Sequence, residues 1–166
     1  MSKLIQLAMS VKIELDDLDI AILQKLQEDG RRPYADIGKC LGISSGTVRN
    51  RVCRFTESGI LKVVGWISPL AVGFKAPAQI QVIVEPPELL DEVADKIAEI
   101  PEAVFVAIVT GEFDILLDVR CRDLEHLLEL ISKRLQKIHG VAKTHTNMFL
   151  RVVKYQPPDI HLIRGE

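Results

Sequence analysis

Hydrogen-bond donors of a particular kind gather between residues 44 and 58, where Arg49, Asn50, Arg51 and Arg54 follow Ser44, Ser45 and Thr47. An arginine fork bonds the O6 and N7 edge of guanine in two places, and an asparagine amide does the same for adenine. At 100° per residue, Val48, Val52 and Phe55 fall on one side of a helix through this stretch. Gly46, Asn50 and Cys53 fall on the far side, flanked by Ser45, Arg49 and Arg54. The far side is polar and basic and its first half is small, as a helix entering the major groove requires. Arg51 points to another flank, where a phosphate contact suits it better than a base. Ser44, Ser45, Thr47, Arg49, Asn50, Arg51 and Arg54 are therefore the candidate DNA contacts. The competing interpretation of these arginines is a solvated helix face.

Three helices must hold that surface. Leu15, Leu18, Ile22 and Leu26 recur at steps of three and four, with Asp16 and Asp17 as N-cap candidates and Gly30 as a stop, which predicts a helix over 17–29. Pro33 suits the first turn of a short second helix with Tyr34, Ile37 and Leu41 as its apolar face, ended by Gly42. Ser44 is a good N-cap for the third helix, which runs to about Ser58 before Gly59. Residues 60–67 are apolar and largely β-branched and read as a short, wing-like strand.

The net charge of −2 is unpromising for a nucleic-acid binder, but the distribution matters more than the sum. Residues 31–62 hold seven basic side chains against two acidic ones, an excess of +5, so the rest of the chain carries −7. Cys40, Cys53 and Cys121 form no CxxC pair, which argues against a disulfide framework or a zinc finger. His126, His139, His145 and His161 lack metal-ligand spacing. No metal and no cofactor is expected. No apolar run approaches the roughly 18 residues of a membrane span, and residues 1–13 lack the apolar core of a secretory signal. A reducing cytoplasm is the expected setting.

The second half reads as β-α-β-β-α-β. Residues 78–84 alternate as a strand, Leu89 to Ile100 carry a helix stripe, and 103–109 and 115–121 are strands joined by the turn Thr110-Gly111-Glu112-Phe113-Asp114. Asp123 caps a helix ended by Gly140, and Val141 to Tyr155 form a long last strand. This is the split βαβ, ferredoxin-like plan, with both helices on one face of an antiparallel sheet. Gln79, Phe105 and Phe149 are available to the open face, and another subunit is a reasonable cover. The predicted class is α+β: an arm at 1–14, a winged-helix-like helix-turn-helix domain at 15–61, a strand and linker at 62–76, the ferredoxin-like sandwich at 77–156 and a tail at 157–166.

From about Leu15 to Tyr155 the chain resembles the Lrp/AsnC (feast/famine) family of transcription regulators. The resemblance is carried by Leu15-Asp16-Asp17-Leu18-Asp19, Leu41-Gly42-Ile43-Ser44, Val48-Arg49-Asn50-Arg51-Val52, Gly59-Ile60-Leu61, Gly111-Glu112-Phe113-Asp114, and Gly140-Val141 followed by Thr144-His145-Thr146. Each motif is weak alone; their order and spacing are specific. The N-terminal arm is longer than the family pattern.

The resemblance implies a regulator of transcription on double-stranded DNA. It further implies a homodimer built through the sandwich domains, commonly extended to tetramers or octamers. A small effector, often an amino acid, would sit near subunit interfaces, lined by Gly111, Glu112 and Asp114 of the turn and by Thr144 and Thr146 of the last strand. Gly111 lets a backbone N–H approach a ligand closely. Asp114 can accept from an ammonium, and threonine hydroxyls can donate to a carboxylate. The plainer interpretation makes these a tight turn and ordinary strand residues. Two further functions compete: an architectural DNA-binding oligomer without an effector, and a siroheme-decarboxylase-like enzyme on the same scaffold. The aliphatic Ile115-Leu116-Leu117 after the turn speaks against the second, and no nucleophile–base pair or phosphate loop is present in the sequence.

Overall fold

A computed structural model of the chain describes residues 14–160 and 162. The arm read at 1–14 lies almost wholly outside the described residues. The chain divides into two compact units, one formed by 1–65 with 155–166, the other by 66–154.

The first unit holds α1 (Asp17–Glu28), α2 (Tyr34–Leu41) and α3 (Ser45–Glu57). Asp16 begins α1 with a capping box: its carboxylate accepts the Asp19 N–H at 2.7 Å, and the Asp19 carboxylate accepts the Asp16 N–H at 3.2 Å. Pro33 sits at the N-cap of α2, one place before the first turn, and Gly42 closes α2 at φ 68°. Ser44 caps α3 by accepting the Thr47 N–H at 3.0 Å. Ile22, Leu23, Leu26, Ile37, Val48, Val52 and Phe55 form the core of the unit, and each such side chain, once fully buried, contributes roughly 2 kcal/mol of transfer free energy. Tyr34, expected on the apolar face of α2, is exposed instead, so Ile37 and Leu41 carry that face. Gly38 lies where a Cβ would stand 2.7 Å from the Ile43 carbonyl oxygen, which lets α2 and the turn before α3 approach closely. The tail joins this unit as well. Gln27 Nε2 donates to the Pro158 carbonyl at 2.6 Å, Gln27 Oε1 accepts the Ile160 N–H at 3.4 Å, and Ile160 packs on the helical core.

The second unit holds β1 (Ala76–Val84), α4 (Leu90–Ala98) after a 3₁₀ turn at Pro87–Leu89, β2 (Ala103–Ile108), β3 (Ile115–Cys121), α5 (Leu124–Glu129) and β4 (Val141–Met148). The strands lie in the order β2-β3-β1-β4 with every neighbouring pair antiparallel. This is the expected ferredoxin-like plan. Alternate residues of β1 and β3, from Ala76 to Val84 and from Ile115 to Cys121, pack with Val93, Ile97, Leu127, Leu130 and Leu135 into the second core.

Three expectations are corrected. No strand forms over 60–67: β-branched composition does not by itself make a ladder, and the Leu61 N–H is bonded instead to the Phe55 carbonyl at 3.0 Å, at the end of α3. The last strand stops at Met148, although β-branched residues continue to Tyr155: the Phe149 N–H still reaches the Pro77 carbonyl at 3.0 Å, and the ladder goes no further. The helix after Asp123 is not one regular rod, because α5 passes into a π turn at Leu130–Arg134 and a 3₁₀ turn at Leu135–Lys137. Within it, the Ser132 hydroxyl donates to the Leu128 carbonyl at 2.7 Å, a bond that tends to bend helices.

Candidate functional site

The sequence of α3 sorts its side chains into a buried and an outward edge. Val48 and Phe55 are wholly buried and Val52 nearly so, while Ser45, Gly46, Arg49, Asn50, Cys53 and Arg54 are exposed. Ser44 and Thr47 are joined in the cap, with their hydroxyl oxygens 2.9 Å apart. The outward edge therefore begins with small groups at the positive end of a helix, where a phosphate is favoured.

The cations of this edge are not equivalent. The side chains of Arg49 and Asn50 make no hydrogen bond among the described residues. Arg51 turns back toward α1 and donates from Nη1 to both Asp16 oxygens at 2.6 Å and to Asp19 Oδ1 at 2.5 Å. Arg54 donates from Nη2 to Asp19 Oδ2 at 2.5 Å. The hydrogen bonds from Arg51 hold the Asp16 carboxyl below its ordinary range, and the same pairing raises the Arg51 guanidinium further above its own. Sequence periodicity saw the direction of Arg51 but not its destination: a phosphate contact was expected, and the guanidinium is engaged within its own domain. Arg32 is likewise paired, with Glu28 at 3.0 Å. Of the basic stretch 31–62, Arg31, Lys39, Arg49 and Lys62 form no ion pair among the described residues.

Two residues that shape this surface escaped the candidate set. Asp19 is 1% exposed, yet in the sequence it was one of three acids opening a helix. The signal that could have found it is its place on the same helical face as the apolar Ile22 and Leu26. Gly38 was missed too. An isolated glycine inside a helix costs stability relative to alanine and hints at close packing.

The candidate effector residues lie at one end of the sheet of the second unit. Gly111 and Glu112 are exposed, with Gly111 at φ 126°, a conformation that favours glycine. Asp114 is tied to β1: its N–H donates to the Val82 carbonyl at 3.0 Å and its Oδ2 accepts the Val84 N–H at 2.8 Å. Thr144 stands opposite Val82 and Thr146 opposite Ile80, so both threonines share the helix-covered face. Gln136 donates to Thr144 Oγ1 at 3.1 Å. Since β3 and β4 flank β1, the turn and the threonines are separated by two strand spacings, about 10 Å, and do not converge on one cavity within a single chain. His145 lies on the other face and stacks on Phe113, with ring centroids 6.1 Å apart. An open groove lined by Gln24, Gln27, Glu28, Gln156, Pro157 and Asp159 includes none of the candidate residues.

No group of His, Cys, Asp or Glu among the described residues could hold a metal ion. None of their helices is long and apolar enough to cross a membrane.

Comparison with known proteins gives both units counterparts. The AsnC-type helix-turn-helix domain matches residues 15–55, and the Lrp/AsnC ligand binding domain matches residues 77–159. An uncharacterized HTH-type transcriptional regulator of Pyrococcus abyssi is 37% identical over 153 residues, 92% of this chain and 96% of that protein. The structure of AsnC from E. coli shares the fold, with a TM-score of 0.83 at 24% identity over 89% of this chain and 99% of that one. A transcriptional regulator from Neisseria meningitidis, solved as a complex with L-Met, has a TM-score of 0.80 at 27% identity, covering 90% of this chain and 99% of its own.

Proposed function

The chain belongs to the Lrp/AsnC family of DNA-binding transcription regulators, and from that premise we propose that α3 reads double-stranded DNA while the second unit binds a small effector, most simply an amino acid, in a homo-oligomer. The observation that carries the DNA-binding role is the capped α3 itself, buried along Val48, Val52 and Phe55 and open along Ser45, Gly46, Arg49 and Asn50. Arg49 and Asn50 are the base-reading residues. Ser44, Ser45 and Thr47 form the phosphate-facing tip.

The effector role is supported by the ligand-binding domain match over the second unit and by the L-Met complex of the Neisseria protein. Gly111 and Glu112 are placed to meet a ligand, and Asp114 keeps one oxygen, Oδ1, without a hydrogen bond among the described residues. Thr144 and Thr146 would take part only where a second subunit completes the site, since β1 stands between them and the turn. Each chain thus contributes part of a binding site.

Binding of a duplex from the chain's own promoter region, followed by fluorescence anisotropy, tests the first part. Affinity should fall steeply with salt as counterions are released, and Arg49→Ala or Asn50→Ala should each cost about 1–3 kcal/mol of binding. Unchanged affinity in both folded variants would remove α3 from the interface. A thermal-shift screen of the twenty amino acids tests the second part, because a ligand at 100 times its Kd adds about 2.7 kcal/mol of stability. No shift with any of them favours the architectural oligomer. A changed absorption spectrum with siroheme would favour the enzyme.

A further inference from the structure

Asp19 is a buried charge for which base reading alone gives no task. It lies on α1, its side chain is 2% exposed, and its oxygens are divided between two residues of α3: Oδ1 takes Arg51 and Oδ2 takes Arg54, each at 2.5 Å. Asp16 supplies the second carboxylate to Arg51 at 2.6 Å and is itself held by the Asp19 N–H. The two acids and two arginines sum to zero charge.

The two arginines differ in what they have left to give. The Arg51 side chain is 25% exposed, and its Nη1 is shared among three carboxylate oxygens. The Arg54 side chain is 49% exposed and is bonded through Nη2 alone. Its Cζ lies 5.3 Å from the centroid of the buried Phe55 ring. Nε and Nη1 of Arg54 therefore make no hydrogen bond among the described residues, on a guanidinium already fixed at one end. A long side chain ordered before binding loses less freedom on binding, and a guanidinium can hold a carboxylate with one edge and a phosphate with another.

We propose that Asp19 is a positioning residue of the DNA interface: it holds Arg54 by Nη2 so that Nη1, at the outer end of the guanidinium, meets a backbone phosphate, while Arg51 is kept inside the domain as the balancing charge. This rests on the DNA-binding role given above and divides the α3 cations into three kinds. Arg49 is free to read, Arg54 is tethered and presented, and Arg51 is retained.

The test uses the full chain, a promoter duplex and a scrambled duplex, with affinities measured between about 50 and 200 mM salt. Arg54→Gln should weaken binding to both duplexes and lower the slope of log affinity against log salt by about 0.9, the value of one phosphate contact. Arg51→Gln should leave that slope unchanged. Asp19→Asn should weaken binding to both duplexes about fivefold without lowering the slope, because no cation is lost. In an Arg54→Gln background, Asp19→Asn should cost almost nothing further. Losses that simply multiply in the double variant would assign Asp19 to folding alone and overturn the proposal, as would an Arg51→Gln slope as reduced as that of Arg54→Gln. If Asp19→Asn does not fold, Arg54→Lys replaces it. Lysine keeps the charge but has a single nitrogen, so the slope should persist while affinity drops; wild-type affinity in Arg54→Lys overturns the proposal. A wild-type chain that binds neither duplex removes the DNA-binding role itself.

Discussion

At the scale of single residues, the arginines of α3 show what periodicity can and cannot deliver. The outward direction of Arg49 and Asn50 follows from their angle to Val48 and Val52, and the structure leaves both exposed. The partners of Arg51 and Arg54 sit 32 to 35 positions earlier, a distance over which no helical period carries information. Gly38 was illegible for a related reason, since its neighbour is a carbonyl from beyond the turn. Gly38→Ala should destabilise the first unit by about 2 kcal/mol, visible as a lower Tm; an unchanged Tm would mean that the turn relaxes freely. Glu102 sets a pH dependence in the second unit. Burial pushes its carboxyl upward, but a backbone hydrogen bond, the His126 ring at 3.0 Å and Arg134 at 2.8 Å outweigh it, and the group titrates below its ordinary value of 4.5. A depressed carboxyl stabilises the fold above its unfolded pKa and loses that contribution as pH falls through the folded value. The difference in Tm between the wild type and Glu102→Gln should therefore hold at neutral pH and shrink below about pH 4.5. A difference that persists undiminished in strong acid would assign the effect to packing.

At the scale of elements, local chemistry proved the better guide. The caps at Asp16 and Ser44 and the stop at Gly42 all act as their residue types suggest. Ser44→Ala should cost about 1 kcal/mol of stability, and Ser44→Asp should restore most of it. If the aspartate variant binds DNA less well while being as stable, the loss comes from repulsion of a phosphate at the α3 tip. Besides the helix after Asp123, the elements that failed were strands. Residues 60–67 and 149–155 have strand composition, yet composition does not supply a partner, and β pairing is settled by distant backbone. The strands of the sheet were legible because strict alternation in β1 and β3 matches one buried face.

At the scale of the whole molecule, the order of elements was readable from the sequence, whereas residues that act only in company were not. At the start of the second unit, Trp66 and Ile67 are exposed, Trp66 by 67%, and exposed apolar surface marks an association site in many proteins. Trp66 is the single tryptophan of the chain, so it reports on the proposed oligomer directly. Its emission should shift to the blue as protein concentration rises through the assembly range. Emission that stays red at every concentration would count against assembly through this segment.

The grip of Gln27 on the backbone of Pro158 and Ile160 makes the helical reader a discontinuous piece of polypeptide, with the whole sheet module spliced between its two portions. Excising residues 1–65 alone would strip Ile160 from the core and leave the Gln27 amide facing water. A faithful miniature of the reader would need the closing segment sewn back on through a short artificial bridge.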